Sequence, residues 1–270
     1  MNLSPVLSVA IRAARSAGRI AARHFDERHR LEVHEKAPMD LVTSADIAVE
    51  RELIEQLMRA YPDYAILAEE SGRHDNRKAK GWQWIIDPID GTANFAHGMP
   101  HFGISVALAK DGEVQAGLVF DPLRDELFVA EKGRGAFLND RRIRVSDETR
   151  LAHALLATGF PFRKPKLKEP YLKAFAAMLQ QTGELRRAGS ASLDLAYVAA
   201  GRYDGYFEMR LSPWDIAAGV LLVTEAGGFV TDLNGGNAYL TSGDVVAGSP
   251  AMQPQVLDAL RAVDLHRVIG

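Results

Sequence analysis

The segment Trp82-Gln83-Trp84-Ile85-Ile86-Asp87-Pro88-Ile89-Asp90-Gly91-Thr92-Ala93-Asn94-Phe95 constrains this chain more than any other. Its apolar run, Trp82 to Ile86, predicts a buried strand ending on a carboxylate. Pro88 has no N–H for a ladder and is expected to stop that strand. Asp90, Gly91 and Thr92 then open a helix. Asp90 or Thr92 would cap it, and Gly91 lets the backbone come close to a ligand. Two carboxylates on one turn do not both ionise cheaply without a cation, and a hard divalent metal supplies one through oxygen ligands. The unpaired N–H groups of a new helix can hold an anion beside it. Two readings fit the segment alone. One is a metal-and-phosphate turn. The other is a strand, an Asp-Pro turn and a capped helix without chemistry.

A chain of 270 residues makes one large domain or two packed lobes. Its apolar content of 47% and charged content of 25% are ordinary for a soluble globular protein. A formal net charge of -3 gives no general reason to expect nucleic acid or a membrane surface. There are no cysteines, which removes disulfides, thiolate zinc sites and cysteine nucleophiles. Arg12, Arg15 and Arg19 break up the first twenty residues, unlike a signal peptide. No apolar stretch reaches spanning length. The expectation is a cytoplasmic protein with no membrane partner.

Taken in order, Ser4-Pro5 predicts a helix start, followed by a stripe of Val6, Val9, Ala10, Ala13, Ala17, Ile20, Ala21 and Phe25. Residues 28–40 predict a short strand and a loop. Thr43 or Ser44 caps a second helix, over about residues 45–60, patterned on Ile47, Glu50, Ile54, Leu57 and Met58. Asp46 falls in its first turn, where an acid suits the helix dipole. Tyr64 to Leu67 predicts a strand that again ends in acids, Glu69 and Glu70. Residues 73–80 read as a basic surface loop without the aromatic interleaving of a single-strand nucleic-acid binder. Phe102 to Leu108 and Val114 to Phe120 form a hairpin around Asp111-Gly112. Further short strands make residues 1–150 an α+β lobe. Residues 151–270 alternate strands and helices, an α/β lobe. It includes a strand at 185–188 carrying Arg186 and Arg187, a small-residue helix from Ala191, and a buried helix opened by Ser212-Pro213-Trp214-Asp215.

Glu69, Asp87, Asp90 and Asp215 each sit at the end of an apolar element or in the first turn of one. Singly, such acids are caps. Together they suit a polynuclear magnesium site, with the backbone carbonyl of Ile89 as a further ligand. The chemistry that follows is attack of water on a phosphate monoester. Glu69 aims the water, and Thr92, hydrogen-bonded to Asp46, helps take its proton. Asp87, Asp90 and Asp215 hold the ion facing the leaving alkoxide, and the N–H groups of Gly91 and Thr92 hold the phosphoryl oxygens. No covalent phospho-enzyme is required.

These motifs resemble the inositol monophosphatase family of lithium-sensitive, magnesium-dependent phosphatases, especially its bacterial members. Trp84 to Thr92 is similar to one family signature. Trp214-Asp215-Ile216-Ala217-Ala218-Gly219, running on to Glu225-Ala226-Gly227-Gly228, is similar to the other. Ala68-Glu69-Glu70-Ser71 matches the glutamate motif, and Lys36 with Asp40 to Asp46 the N-terminal one. The resemblance covers nearly the whole chain. It implies a layered α-β-α-β-α sandwich of the inositol monophosphatase and fructose-1,6-bisphosphatase type, and two or three Mg²⁺ ions. The first ion would be held by Glu69, Asp87 and the Ile89 carbonyl, the second by Asp87, Asp90 and Asp215, and a weaker third by Glu69 and waters. It casts Thr92 and Asp46 as the water-activating pair and Lys36 as a loop lysine over the active site. Substrate hydroxyls would meet Asp90, the backbone around Ser190 and Ala191, and Glu208, a residue only the resemblance selects. A homodimer is implied. So is a second role in a transcription antitermination or RNA polymerase complex, through resemblance across Arg186 to Leu195. Arg186 and Arg187 fit equally a solvated pair, a dimer contact or a support for the substrate loop. Ala93 stands where many members have a threonine. Myo-inositol monophosphate is the expected substrate. Fructose 1,6-bisphosphate, histidinol phosphate and a 3′-phosphoadenosine nucleotide are the rivals.

Overall fold

In a computed structural model, which describes residues 3–37, 40–162 and 164–263, the chain opens with helix α1 (Pro5–Asp26). Ser4 caps it, accepting the Leu7 N–H at 3.2 Å. Its buried face is Leu7, Ala10, Ala13, Ala14, Ala17, Gly18, Ala21 and Phe25, so Val6, Val9 and Ile20 lie on the flanks of the expected stripe. The segment read as a short strand and loop is a hairpin, β1 (Val33–Ala37) and β2 (Asp40–Thr43). Pro38 lies outside the described residues. β2 runs directly into α2 (Ser44–Ala60), capped by Thr43. The buried face of α2 is Ala45, Asp46, Val49, Glu50, Leu53 and Leu57, and Ile47 is 57% exposed. The cap turns Asp46 inward, and residues three, four, seven and eleven further on follow it. Ile47 is a hundred degrees off that face.

The first sheet has eight strands. They are β3 (Ala65–Ala68), β4 (Gly72–His74), β5 (Trp82–Asp90), β6 (Gly103–Lys110), β7 (Glu113–Asp121), β8 (Glu126–Glu131), β9 (Gly135–Leu138) and β10 (Arg141–Arg142), in the order β10-β9-β8-β7-β6-β5-β3-β4. Only β3 and β5 run parallel. The short β4 occupies part of the expected surface loop. β5 does not stop at Pro88 but continues to Asp90. Its pairing with β3 ends at Ile86, and its register with β6 shifts between Asp87 and Asp90. A proline at a bulge on an unpaired edge deprives no neighbour of a donor. The bulge is closed by the Ile89 N–H, which donates to Asp87 Oδ1 at 3.1 Å. The short α3 (Thr92–His97) follows.

The second sheet is mixed. It comprises β11 (Leu155–Thr158), β12 (Glu184–Arg186), β13 (Gly205–Glu208), β14 (Phe229–Thr231) and β15 (Val245–Gly248), in the order β12-β11-β13-β15-β14. Between its strands lie α4 (Lys168–Gln181), α5 (Ala191–Ala199), α6 (Pro213–Glu225) and α7 (Tyr239–Ser242), and α8 (Met252–Arg261) follows β15. Arg187 falls just past β12. Packing gives five layers. α1 and α2 cover one face of the first sheet; α5 and α6 lie between the sheets; α4 and α8 cover the far face of the second. Three apolar clusters fill the spaces between them. The middle helices touch apolar surface on both sides, which is why Ile216 to Val223 are all buried. No helix among the described residues is long and apolar enough to cross a membrane.

Candidate active site

Asp87, Asp90 and Asp215 come from two elements and meet at the open end of β5. One carboxylate oxygen from each lies within 4.8 Å of the others. β5 carries the first two across its bulge. Asp215 arrives on the first turn of α6, where its Oδ2 accepts the Ser212 N–H at 2.7 Å in a capping box. Ser105 on β6 fastens that turn, donating to the Trp214 carbonyl at 3.0 Å. Asp90 Oδ2 accepts from Ser190 Oγ at 2.7 Å and from the Ser192 N–H at 2.6 Å. Asp90 thereby binds the first turn of α5, and its other oxygen serves the cluster.

Glu69 follows β3 and stands beside this trio. It shares a hydrogen bond with Asp87 that favours a charged Glu69 and a protonated Asp87. Lys36 Nζ lies 3.3 Å from Glu69 and 2.6 Å from Glu70. Lys36 sits on β1, a strand rather than the expected loop. A residue the sequence reading did not single out for the site aims this turn. Glu50 on α2 is buried and accepts the N–H groups of Glu70 and Ser71, each at 2.8 Å. Its signal was its position four residues after Asp46, on the same helix face.

Asp46 and Thr92 meet as expected. Thr92 Oγ1 lies 3.2 Å from Asp46 Oδ1 and 3.1 Å from the Ile89 carbonyl. Asp46 Oδ2 accepts both the N–H and the hydroxyl of Thr43, at 2.8 and 2.5 Å. Asp46 and Asp215 are thus built alike: each gives one oxygen to its own helix cap and turns the other toward the site. Neither Asp90 nor Thr92 caps α3. Gly91 holds that position at a φ of 102°, and a Cβ there would stand 3.1 Å from the Gly189 carbonyl and 3.2 Å from that of His101. Only glycine meets both demands.

Burial pushes the Asp87 carboxyl well above the ordinary carboxylate range, and the charges of Glu69, Asp90 and Asp215 push it further. Asp215 is raised well by burial and then by Asp90, against the Ser212 N–H. Asp90 is raised by burial against the hydrogen bonds from Ser192 and Ser190. Glu69 is raised by burial, against the charge of Lys36. Burial brings Asp46 to about 6. Buried acids that raise one another's proton affinity form a set that a divalent cation relieves, and oxygen donors suit a hard ion. The donor set fits the group.

Ser190 caps α5 and Ala191 begins it. Glu208 ends β13 and accepts the Tyr206 hydroxyl at 2.5 Å. A Cβ on Gly159 would stand 1.9 Å from the Glu208 carboxylate, so the missing side chain makes its room. Asp194, also passed over in sequence, is buried behind them. Its Oδ1 has no hydrogen-bond partner, and burial followed by the charges of Glu208 and Asp90 raises it well above its ordinary value.

Fold and site together define a class: a five-layered α+β protein with an acid cluster fit for a divalent ion. The model of the inositol monophosphatase family matches residues 2–267. Nus factor SuhB of Pasteurella multocida is 46% identical over 259 residues, covering 96% of this chain and 97% of that protein. The solved structure of extragenic suppressor protein suhB from Bartonella henselae aligns with a TM-score of 0.93 at 43% identity, over 96% of this chain and 99% of that one. Inositol monophosphatase from Anabaena aligns at 0.84 and 38% identity, over 95% of each chain. The chain belongs to the inositol monophosphatase family.

Proposed function

We propose that this chain hydrolyses myo-inositol monophosphate to inositol and phosphate, with magnesium held by Glu69, Asp87, the Ile89 carbonyl, Asp90 and Asp215. The observation that carries the reading is the trio of carboxylates within 4.8 Å. Magnesium, when bound, supplies the positive charge that eases deprotonation of water and steadies a departing oxygen. The chain's own residues do the rest. Glu69, braced by Lys36 and by the turn Glu50 holds, orients the water. Thr92 has one hydroxyl hydrogen and two acceptors, Asp46 Oδ1 and the Ile89 carbonyl. With its hydrogen donated to Asp46 Oδ1, Thr92 turns a lone pair toward the water, so a proton taken by Thr92 is matched by one passed to Asp46, whose carboxyl near 6 is able to store it. The N–H groups of Gly91 and Thr92 receive the phosphoryl oxygens. Asp90, Ser190, Ala191 and Glu208 face the departing alcohol. In this reading residues 1–150 supply most ligands, and residues 151–270 supply Asp215 and the alcohol wall. A cytoplasmic homodimer and sensitivity to lithium belong to it, from family resemblance.

Steady-state turnover of myo-inositol 1-phosphate is the test, run beside fructose 1,6-bisphosphate, histidinol phosphate and a 3′-phosphoadenosine nucleotide. Each assay contains magnesium, with and without lithium. Inositol 1-phosphate should lead. If it trailed all three rivals, the named substrate would be wrong.

Similarity to Nus factor SuhB at 46% identity favours a second reading, association with the transcription machinery. Capture of purified RNA polymerase and antitermination factors by the purified chain tests it. No retention at physiological salt removes it.

A further inference from the structure

Helix α1 carries four arginines, Arg12, Arg15, Arg19 and Arg23, against one acid, Asp26, in a chain whose net charge is -3. All four are exposed. At about 100° per residue, Arg12, Arg19 and Arg23 fall within about 40° of one another, opposite the buried Ala10, Ala14 and Ala21. They stand on the crest of an outer layer, in a row about 16 Å long at about 1.5 Å per residue. A solvated helix face usually mixes signs, with acids and bases four residues apart. This helix has no acid between Pro5 and Phe25.

The acids beside the row lie on its flanks and are engaged there. Asp125 pairs with Arg15 at 2.8 Å, and Arg15 also lies over the Phe120 ring at 5.4 Å. Glu52 on α2 accepts from Ser16 Oγ at 2.6 Å and from Gln56 Nε2 at 3.1 Å. Arg19 donates to the Arg15 carbonyl at 3.2 Å and to Ser16 Oγ at 3.3 Å, which holds it along the row. Among the described residues, no carboxylate lies within ion-pair distance of Arg12 or Arg23. Guanidinium forks of this kind suit phosphate oxygens. Duplex nucleic acid presents such oxygens on a stiff rod, with about one charge per 1.7 Å of axis. A single strand would want rings on which its bases stack, and the Phe25 ring of α1 is buried. A lipid surface would want an apolar face to take in, and that of α1 is spent on the first sheet.

We infer that the outer face of α1 binds duplex nucleic acid through its phosphate backbone, by Arg12, Arg19 and Arg23, without reading sequence. No residue of the row belongs to the acid cluster, so this stands apart from the phosphatase reading. Anisotropy of a labelled DNA duplex of about 20 base pairs, titrated with the full chain in EDTA at several salt concentrations, tests it. The parent should bind with a Kd between about 1 and 100 µM, and log K should fall against log salt with a slope of about -3. Arg12→Gln, Arg19→Gln and Arg23→Gln together should flatten most of that slope and weaken binding more than about tenfold at low salt. The three corresponding changes to Lys should keep the slope. Arg77→Gln with Lys78→Gln removes two charges from the surface loop instead, and should leave affinity within about twofold. Melting temperature of the glutamine variant should match the parent's, since all three side chains are exposed. No binding by the parent at about 100 µM protein overturns the inference. So does an unchanged slope in the glutamine variant, or an equal loss in the loop variant. Tighter binding of a single strand of the same length, or of anionic phosphatidylserine vesicles, overturns it as well.

Discussion

The two walls of the site are finished to different degrees. On the wall built by β3, β5, α2 and the first turn of α6, each candidate acid has assigned hydrogen bonds. Asp46 and Asp215 are tied into caps, Glu69 is tied to Lys36 and Asp87, and the turn after β3 is held by Glu50. The wall built by α5 and β13 keeps Asp194 Oδ1 and Ser192 Oγ buried without partners. Chemistry common to every substrate needs fixed geometry before the substrate arrives. Recognition of one alcohol among many is the step that leaves polar groups to be satisfied by the ligand itself. On the proposed function, the contrast predicts where changes act: on every substrate for the first wall, on some substrates for the second.

The largest effect should come from breaking the first wall. Asp215→Asn keeps an oxygen for the Ser212 cap but removes a charge from the trio. It should cost about a thousandfold in turnover of any phosphomonoester at low magnesium. Full activity there would end the role given to Asp215. The same variant should be more thermostable than the parent in metal-free buffer near neutral pH, because one of the repelling acids is gone.

A smaller loss is expected from Glu50→Gln, which leaves one of two buried N–H groups without its acceptor. Turnover should fall about tenfold on all substrates alike, and stability by about 1–3 kcal/mol. Denaturant titration beside kinetics reads both. A loss confined to one substrate would place Glu50 on the wrong wall.

Next comes the second wall. Glu208→Gln should weaken inositol 1-phosphate by about tenfold yet leave p-nitrophenyl phosphate, which offers no hydroxyls, within about twofold. Parallel losses on the two would erase the difference between the walls.

The smallest effect is a shift in melting temperature. Folding raises the proton affinity of Glu69, Asp87, Asp90 and Asp215. For acids raised in this way, the stabilisation is complete below the ordinary carboxyl range. It is lost as pH rises through the folded values. Metal-free protein should therefore melt a few degrees lower at about pH 8 than at about pH 5, and magnesium should recover most of the difference at the higher pH. A metal-free melting point that climbs over that interval would contradict the crowding of these acids.

Much of the first wall was legible in the sequence because its acids follow apolar runs, and a strand's end shows locally. Thr92 and Asp46 met as expected, and Ser4, Thr43 and Ser212 mark their helices through short-range caps. The misses share a cause, which is distance along the chain. Pro88 persists in β5 because β3 has already ended, a fact about the neighbouring strand. Glu50 binds a turn twenty residues away. Asp194 takes its character from Glu208, which is not adjacent in sequence. The small α7 carried no periodic signal in its four residues.

The bonds from Asp90 to Ser190 and Ser192 span 100 and 102 residues. Closures of that length form late, since the loop entropy is spent before the contact rewards it. A chain emerging from the ribosome holds Asp87 and Asp90 long before Asp215 exists beside them. High metal affinity should thus belong only to the finished fold. On the proposed reading, a divalent ion would act on the completed protein as a latch, not on the nascent chain as a nucleus.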